Sequence, residues 1–104
     1  MSLRMEVDQE RLAEFCRKYR VREMAFYGSV LRDDFRPDSD VDVLVVFEPG
    51  AQWDLFDRVN MRDELSRLLG RPVDLAERRT VQQSRNYIRR NEVLRTAEVV
   101  YAAG

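Results

Sequence analysis

The chain has 104 residues, room for one domain with one modest core, so an enzyme of this size with two large substrates would need a partner or second copy to complete its site. Its 18 basic and 19 acidic residues leave a net charge of −1, which removes the simplest argument for a nucleic-acid or anionic-membrane binder. No histidine is present, which excludes serine–histidine and cysteine–histidine nucleophiles within the chain, along with the commonest zinc sites.

The single cysteine, Cys16, has no internal disulfide partner, so a reducing cytoplasm is expected. The longest purely apolar run, Val43 to Phe47, is far too short to span a bilayer. Any chemistry must therefore use carboxylates, hydroxyls, arginines, Lys18 or a bound metal. The charge is also unevenly spread. Between Asp33 and Asp57 there are eight acids and one base, and between Arg78 and Arg95 there are six arginines and one acid.

Residues 8 to 19 read as an amphipathic helix capped by Asp8, with Leu12, Phe15, Cys16 and Tyr19 on one face. Cys16 is then a small core residue rather than a reactive thiol. Val21 to Tyr27 reads as a strand buried on both faces. Gly28-Ser29 ends it, and a short helix is expected from Val30 to Asp34. Arg36-Pro37-Asp38-Ser39 is a turn. Asp40 to Phe47 is the clearest strand, rich in β-branched residues and stopped by Pro49-Gly50.

Trp53 to Leu69 reads as a long helix whose period is marked by Phe56, Val59, Leu65, Leu68 and Leu69. Gly70 suits its C-terminal cap and Pro72 blocks continuation. Arg71 to Ala76 is a short strand, a helix is expected from Gln82 to Asn91, and Glu98 to Ala102 is either a last strand or a helical tail. This order describes an α/β or α+β domain, with a small mixed sheet of three to four strands flanked by helices.

Three places strain against a purely structural reading. In Asp40-Val41-Asp42, residues two apart on a strand share a face, so two carboxylates project together at the head of an apolar strand. Their repulsion and desolvation can be relieved by an arginine, by protonation, or most completely by a divalent cation. Asp38-Ser39-Asp40 has the same spacing, but pairing those two would leave Asp42 deepest in the strand without a partner. The same Asp-x-Asp spacing also suits a solvated strand start.

Gly28-Ser29 follows a strand and opens a helical turn, where backbone amides and a hydroxyl can receive phosphate; it is equally ordinary punctuation. Asp74, between Val73 and Leu75 on another strand, is a strand-edge charge or the third member of a carboxylate cluster suited to two-metal phosphoryl transfer.

Together the segment GSVLRDDFRPDSDVDVLVVF and the later Asp74 resemble the nucleotidyltransferase superfamily that includes DNA polymerase beta, and most of all its minimal single-domain members. Arg32 and Ser39 also match the Gly-Ser-x-x-Arg and Ser-Asp-x-Asp forms of that group. The resemblance implies a nucleotidyltransferase fold in which Asp40 and Asp42 hold two Mg2+ ions and Asp74 ligands the catalytic metal and helps activate the attacking hydroxyl. Gly28 and Ser29 would bind the β- and γ-phosphates of ATP, with Arg32 and Ser39 as further nucleotide-binding residues. Two cations on fixed carboxylates can drive in-line attack at the α-phosphorus without histidine.

Minimal members of this kind commonly pair with a helical HEPN ribonuclease toxin, which the antitoxin is thought to silence by moving AMP from ATP to a tyrosine near the toxin's active site. The resemblance therefore implies a HEPN partner, with homo-oligomers open and no direct nucleic-acid or membrane contact expected. Two other readings stand beside it. One is an antitoxin that neutralises its partner by contact alone, for which the arginine-rich segment, with Arg85 and Arg89 four apart on an expected helix, is the warrant. The other is a nucleotidyltransferase acting on a small molecule or RNA. Trp53, Phe56 and Tyr87 are expected in the core or an interface. Tyr27, beside Gly28, is expected in the core, with nucleotide contact as the alternative.

Overall fold

The computed structural model describes residues 7–28, 40–83 and 85–103. The expected helix at Val30–Asp34 and the turn at Arg36–Ser39 lie outside them. The elements are α1 (Gln9–Lys18), β1 (Val21–Tyr27), β2 (Val41–Phe47), α2 (Leu55–Leu69), β3 (Val73–Glu77), α3 (Arg78–Gln82), α4 (Tyr87–Thr96) and β4 (Glu98–Ala102). Asp8 caps α1 by accepting from the amides of Glu10 and Arg11. Asp54 and Asp57 close a capping box around the start of α2, and Gly70 ends that helix in the left-handed region at φ 71°.

The four strands form one mixed sheet in the order β3-β2-β1-β4. β1 runs antiparallel to β2 and β4, while β2 and β3 are parallel. The period-2 alternation of the strands sorts their side chains into two clusters on opposite faces. Met24, Phe26, Val41, Val43, Val45 and Val73 face one way, packed with Leu12, Phe15 and Cys16 of α1 and Met61 and Leu65 of α2. Ala25, Tyr27 and Leu44 face the other way, packed with Val93 of α4 and joined by Ala76, Val81 and Ala97. The full burial of Phe26, Leu12, Met61 and Leu65 contributes about 1.5–3 kcal/mol each. Among the described residues no helix is long and apolar enough to cross a membrane.

Several boundaries differ from the sequence reading. β2 begins at Val41, so Asp40 stands just ahead of the strand. The long helix begins at Leu55 because Asp54, not Trp53, is its cap, the Asp54 side chain accepting from the Asp57 amide. Its buried face is set by Met61 and Leu65, and Phe56 is 81% exposed although its spacing suggested the core. The single helix expected at Gln82–Asn91 is two helices. α3 follows β3 directly and ends at Gln82, with the amide of the following Gln83 bonded to the Arg79 carbonyl, and α4 starts anew with the Asn86 carbonyl accepting from Arg90. Asn86 competes with helix by hydrogen-bonding locally and favours a cap over the helix interior, in keeping with the break ahead of α4. The open choice at the end of the chain resolves as a strand, β4, on the outer edge of β1.

Candidate functional site

The candidate site forms where β1 ends and β2 and β3 begin. The antiparallel β1–β2 register places Tyr27 opposite Asp42. The parallel β2–β3 register places Asp42 opposite Asp74. Val41 and Val43 point into the larger cluster, so strand alternation turns Asp42 to the other face, with Leu44 and Tyr27. The same alternation along Val73-Asp74-Leu75-Ala76 turns Asp74 to that face. The start of β2 is tied to the chain leading into β3 by a 2.9 Å hydrogen bond from the Val41 amide to the Pro72 carbonyl. This bond sits between Asp40 and Asp42 in sequence and helps fix the register that brings Asp42 to Asp74.

Gly28 closes the site on the β1 side. Its φ is +77°, a region that favours glycine, and a Cβ built there would collide with the Asp42 carboxylate. The carboxylate thus lies directly over a backbone that has no side chain to exclude it. Asp42 is half-buried, whereas Asp40 and Asp74 are exposed.

The sequence-derived trio is therefore an in-register pair, Asp42 and Asp74, flanked by Asp40. Among the described residues no group of three His, Cys, Asp or Glu side chains is arranged to hold a metal ion. What the fold fixes is the backbone register that sets Asp42 beside Asp74. The donor set is all carboxylate oxygen, which suits a hard divalent cation such as Mg2+. Ser29, Arg32 and Ser39 lie outside the described residues.

The opposed charge segments of the sequence have distinct fates. On the acidic side, Asp54 and Asp57 are spent on the α2 capping box, and Glu48 pairs with Arg20 at 3.3 Å. On the basic side, Arg78 reaches back to Glu23 on β1 at 2.9 Å, Arg79 lies 3.7 Å from Glu77, and Arg58 of α2 also pairs with Glu77. Arg85 is exposed but lies between α3 and α4, so it does not share a helix with Arg89 as the sequence suggested. Both segments nonetheless meet in space: α3 and α4 place Val81 and Val93 against the sheet face that carries Asp42 and Asp74. Cys16, fully buried, has its thiol pushed up to about 12 by burial, with Arg17 opposing slightly, and is an inert core residue.

Over most of the chain, residues 9–98 fit the model of the nucleotidyltransferase domain. The chain belongs to the nucleotidyltransferase domain family. A solved minimal nucleotidyltransferase of this kind is 35% identical, with the likeness covering 86% of each chain at a TM-score of 0.61. The protein adenylyltransferase MntA of Thermococcus cleftensis is 39% identical over 62 residues, which cover 60% of this chain and 61% of that protein. The chain thus spans about three-fifths of the length of the curated relatives it matches. A chain in a toxin–antitoxin crystal structure with AMP-PNP shares the fold at a TM-score of 0.66 and 16% identity, over 93% of this chain and 75% of that one.

Tyr27 is buried, as its expected core position requires. The close approach of the Asp42 carboxylate to Gly28 escaped the sequence reading, because it depends on the antiparallel register between β1 and β2, which local patterning does not specify.

Proposed function

We propose that this protein is a nucleotidyltransferase that moves AMP from ATP to a tyrosine hydroxyl of a helical HEPN ribonuclease toxin, and so serves as the antitoxin of that pair. The observation that carries the reading is the pairing of Asp42 with Asp74 beside Gly28. The likeness to a protein adenylyltransferase and to a toxin–antitoxin chain solved with AMP-PNP supports the acceptor class and the nucleotide.

In this reading Gly28 and Ser29 receive the β- and γ-phosphates, and Arg32 and Ser39 add donors to the nucleotide. Asp40, Asp42 and Asp74 would hold two Mg2+ ions, which when bound offset the phosphate charge and favour loss of the proton from the attacking hydroxyl. Asp74, exposed at the mouth of the site, takes up that proton. The tyrosyl oxygen forms a bond to the α-phosphorus as the bond from that phosphorus to the bridging oxygen breaks, and pyrophosphate leaves. The acceptor thereby gains AMP and the leaving group carries the β- and γ-phosphates.

Labelled ATP tests this directly. Label at the α-phosphate should become fixed on the partner protein, while label at the γ-phosphate should be released in pyrophosphate. Fixation of the γ-label, or of neither, contradicts the reading.

A second reading, neutralisation by contact without turnover, is favoured by apolar side chains left outside the core: Leu55 is 74% exposed, Phe56 81% and Ile88 82%. It predicts that Asp42→Asn still neutralises the partner at equal expression, whereas the transferase reading predicts that neutralisation is lost or weakened.

A further inference from the structure

We propose that the Tyr27 ring is a positioning residue that holds the Asp42 carboxylate in its metal-binding place. The inference rests on the transferase reading of the site and deepens it. Tyr27 stands directly opposite Asp42 in the β1–β2 ladder, and side chains at such positions have Cβ atoms about 4.5–5.5 Å apart. It is only 6% exposed and belongs to the cluster that contains Leu44, two residues along β2 from Asp42, and Val93 of α4. Its chain neighbour Gly28 supplies the bare backbone over which the Asp42 carboxylate lies.

Asp42 is thus hemmed from β1 by two consecutive residues: Gly28, which leaves it room, and Tyr27, which limits that room. A short acid has few rotamers, and one bulky neighbour held fast by a packed helix removes several of them. The ordering entropy of the carboxylate is then lost on folding rather than on binding the cation, which raises affinity without adding a ligand. The ring also excludes water from one side of a half-buried carboxylate, which strengthens its attraction for a cation. The positioning is assigned to the ring, so phenylalanine should replace tyrosine and a branched aliphatic residue should not.

The test measures Mn2+ binding to the full chain without nucleotide, by calorimetry or by loss of the free-ion paramagnetic signal, in the wild type and in Tyr27→Phe, Tyr27→Leu and Asp42→Asn. Thermal melting checks that each variant folds; leucine keeps the position apolar so that the Val93 cluster survives. The expected result is Mn2+ binding in the wild type that Asp42→Asn abolishes, a loss of affinity of about fivefold or more in Tyr27→Leu, and recovery in Tyr27→Phe. Transfer by Tyr27→Leu should return towards the wild-type rate at saturating metal, a split that a general packing defect would not give. Unchanged Mn2+ affinity in a folded Tyr27→Leu variant, with binding still dependent on Asp42, overturns the positioning role alone. Equal losses in Tyr27→Phe and Tyr27→Leu overturn the assignment to the ring. Mn2+ binding that ignores Asp42→Asn overturns both this inference and the reading of the site on which it rests.

Discussion

Asp42 and Asp74 face each other across the parallel pairing of β2 and β3, two like charges held at the same level of the sheet. Like charges directly opposite in a sheet cost about 0.2–1 kcal/mol. A stable fold carries such a cost where function uses it. Replacing either acid with asparagine should therefore leave the fold intact and raise its stability slightly, by up to about 1 kcal/mol, while removing activity. Urea denaturation of Asp42→Asn and Asp74→Asn checks the sign. A large loss of stability in either would mean that the pair is structural.

Mg2+ should act on the same pair from the opposite direction. A ligand that binds only the folded state raises the melting temperature with its concentration. The wild type should show that rise with Mg2+ or Mn2+, and Asp42→Asn should not. Equal rises in both would place the cation elsewhere.

The glycines form an internal control series. Gly50 and Gly70 have φ of 86° and 71° with nothing near an added Cβ, so alanine there costs only the left-handed strain, about 1–2 kcal/mol. Gly28 has a φ of 77° and the Asp42 carboxylate in the way. Gly28→Ala should cost more stability than either of the others and should also reduce metal binding. Denaturation midpoints of the three variants give the ranking.

Cys16 predicts an alkaline weakness. Its thiol keeps its proton in the folded chain up to about pH 12, while in the unfolded chain it ionises near 9.0. Above that lower value the unfolded state binds fewer protons than the folded state, so stability falls as pH rises. The loss should be absent from neutral pH up to about 8 and shallower above 9.0 in Cys16→Ala than in the wild type. A thiol-reactive dye should label Cys16 only on unfolding.

Much of this fold is legible from local signals. Asp8, Pro49-Gly50 and Gly70 punctuate the chain where its elements end, and the alternation of Met24 and Phe26 against Ala25 and Tyr27 foreshadows the two clusters. The acids at 42 and 74 stand out because they interrupt apolar strands. What local patterning lacks is partner choice. The pairing of Asp42 with Asp74, and of Tyr27 with Asp42, is a matter of register between segments far apart in sequence. The Arg78–Arg95 stretch misled for another reason: its apolar spacing is weak, so periodicity does not mark the break between α3 and α4, where Asn86 precedes the new helix. Phe56 misled because an exposed apolar residue can hold helical spacing as well as a buried one.

The most direct test of the central claim is intact-mass analysis of a HEPN partner protein incubated with ATP, Mg2+ and either the wild-type chain, Asp42→Asn or Asp74→Asn. The account predicts that the wild type adds one or more AMP units to a tyrosine of the partner. It predicts that both variants, still folded, lose this transfer by roughly 10²-fold or more. An unmodified partner in the wild-type reaction, or equal modification by the folded variants, would contradict it.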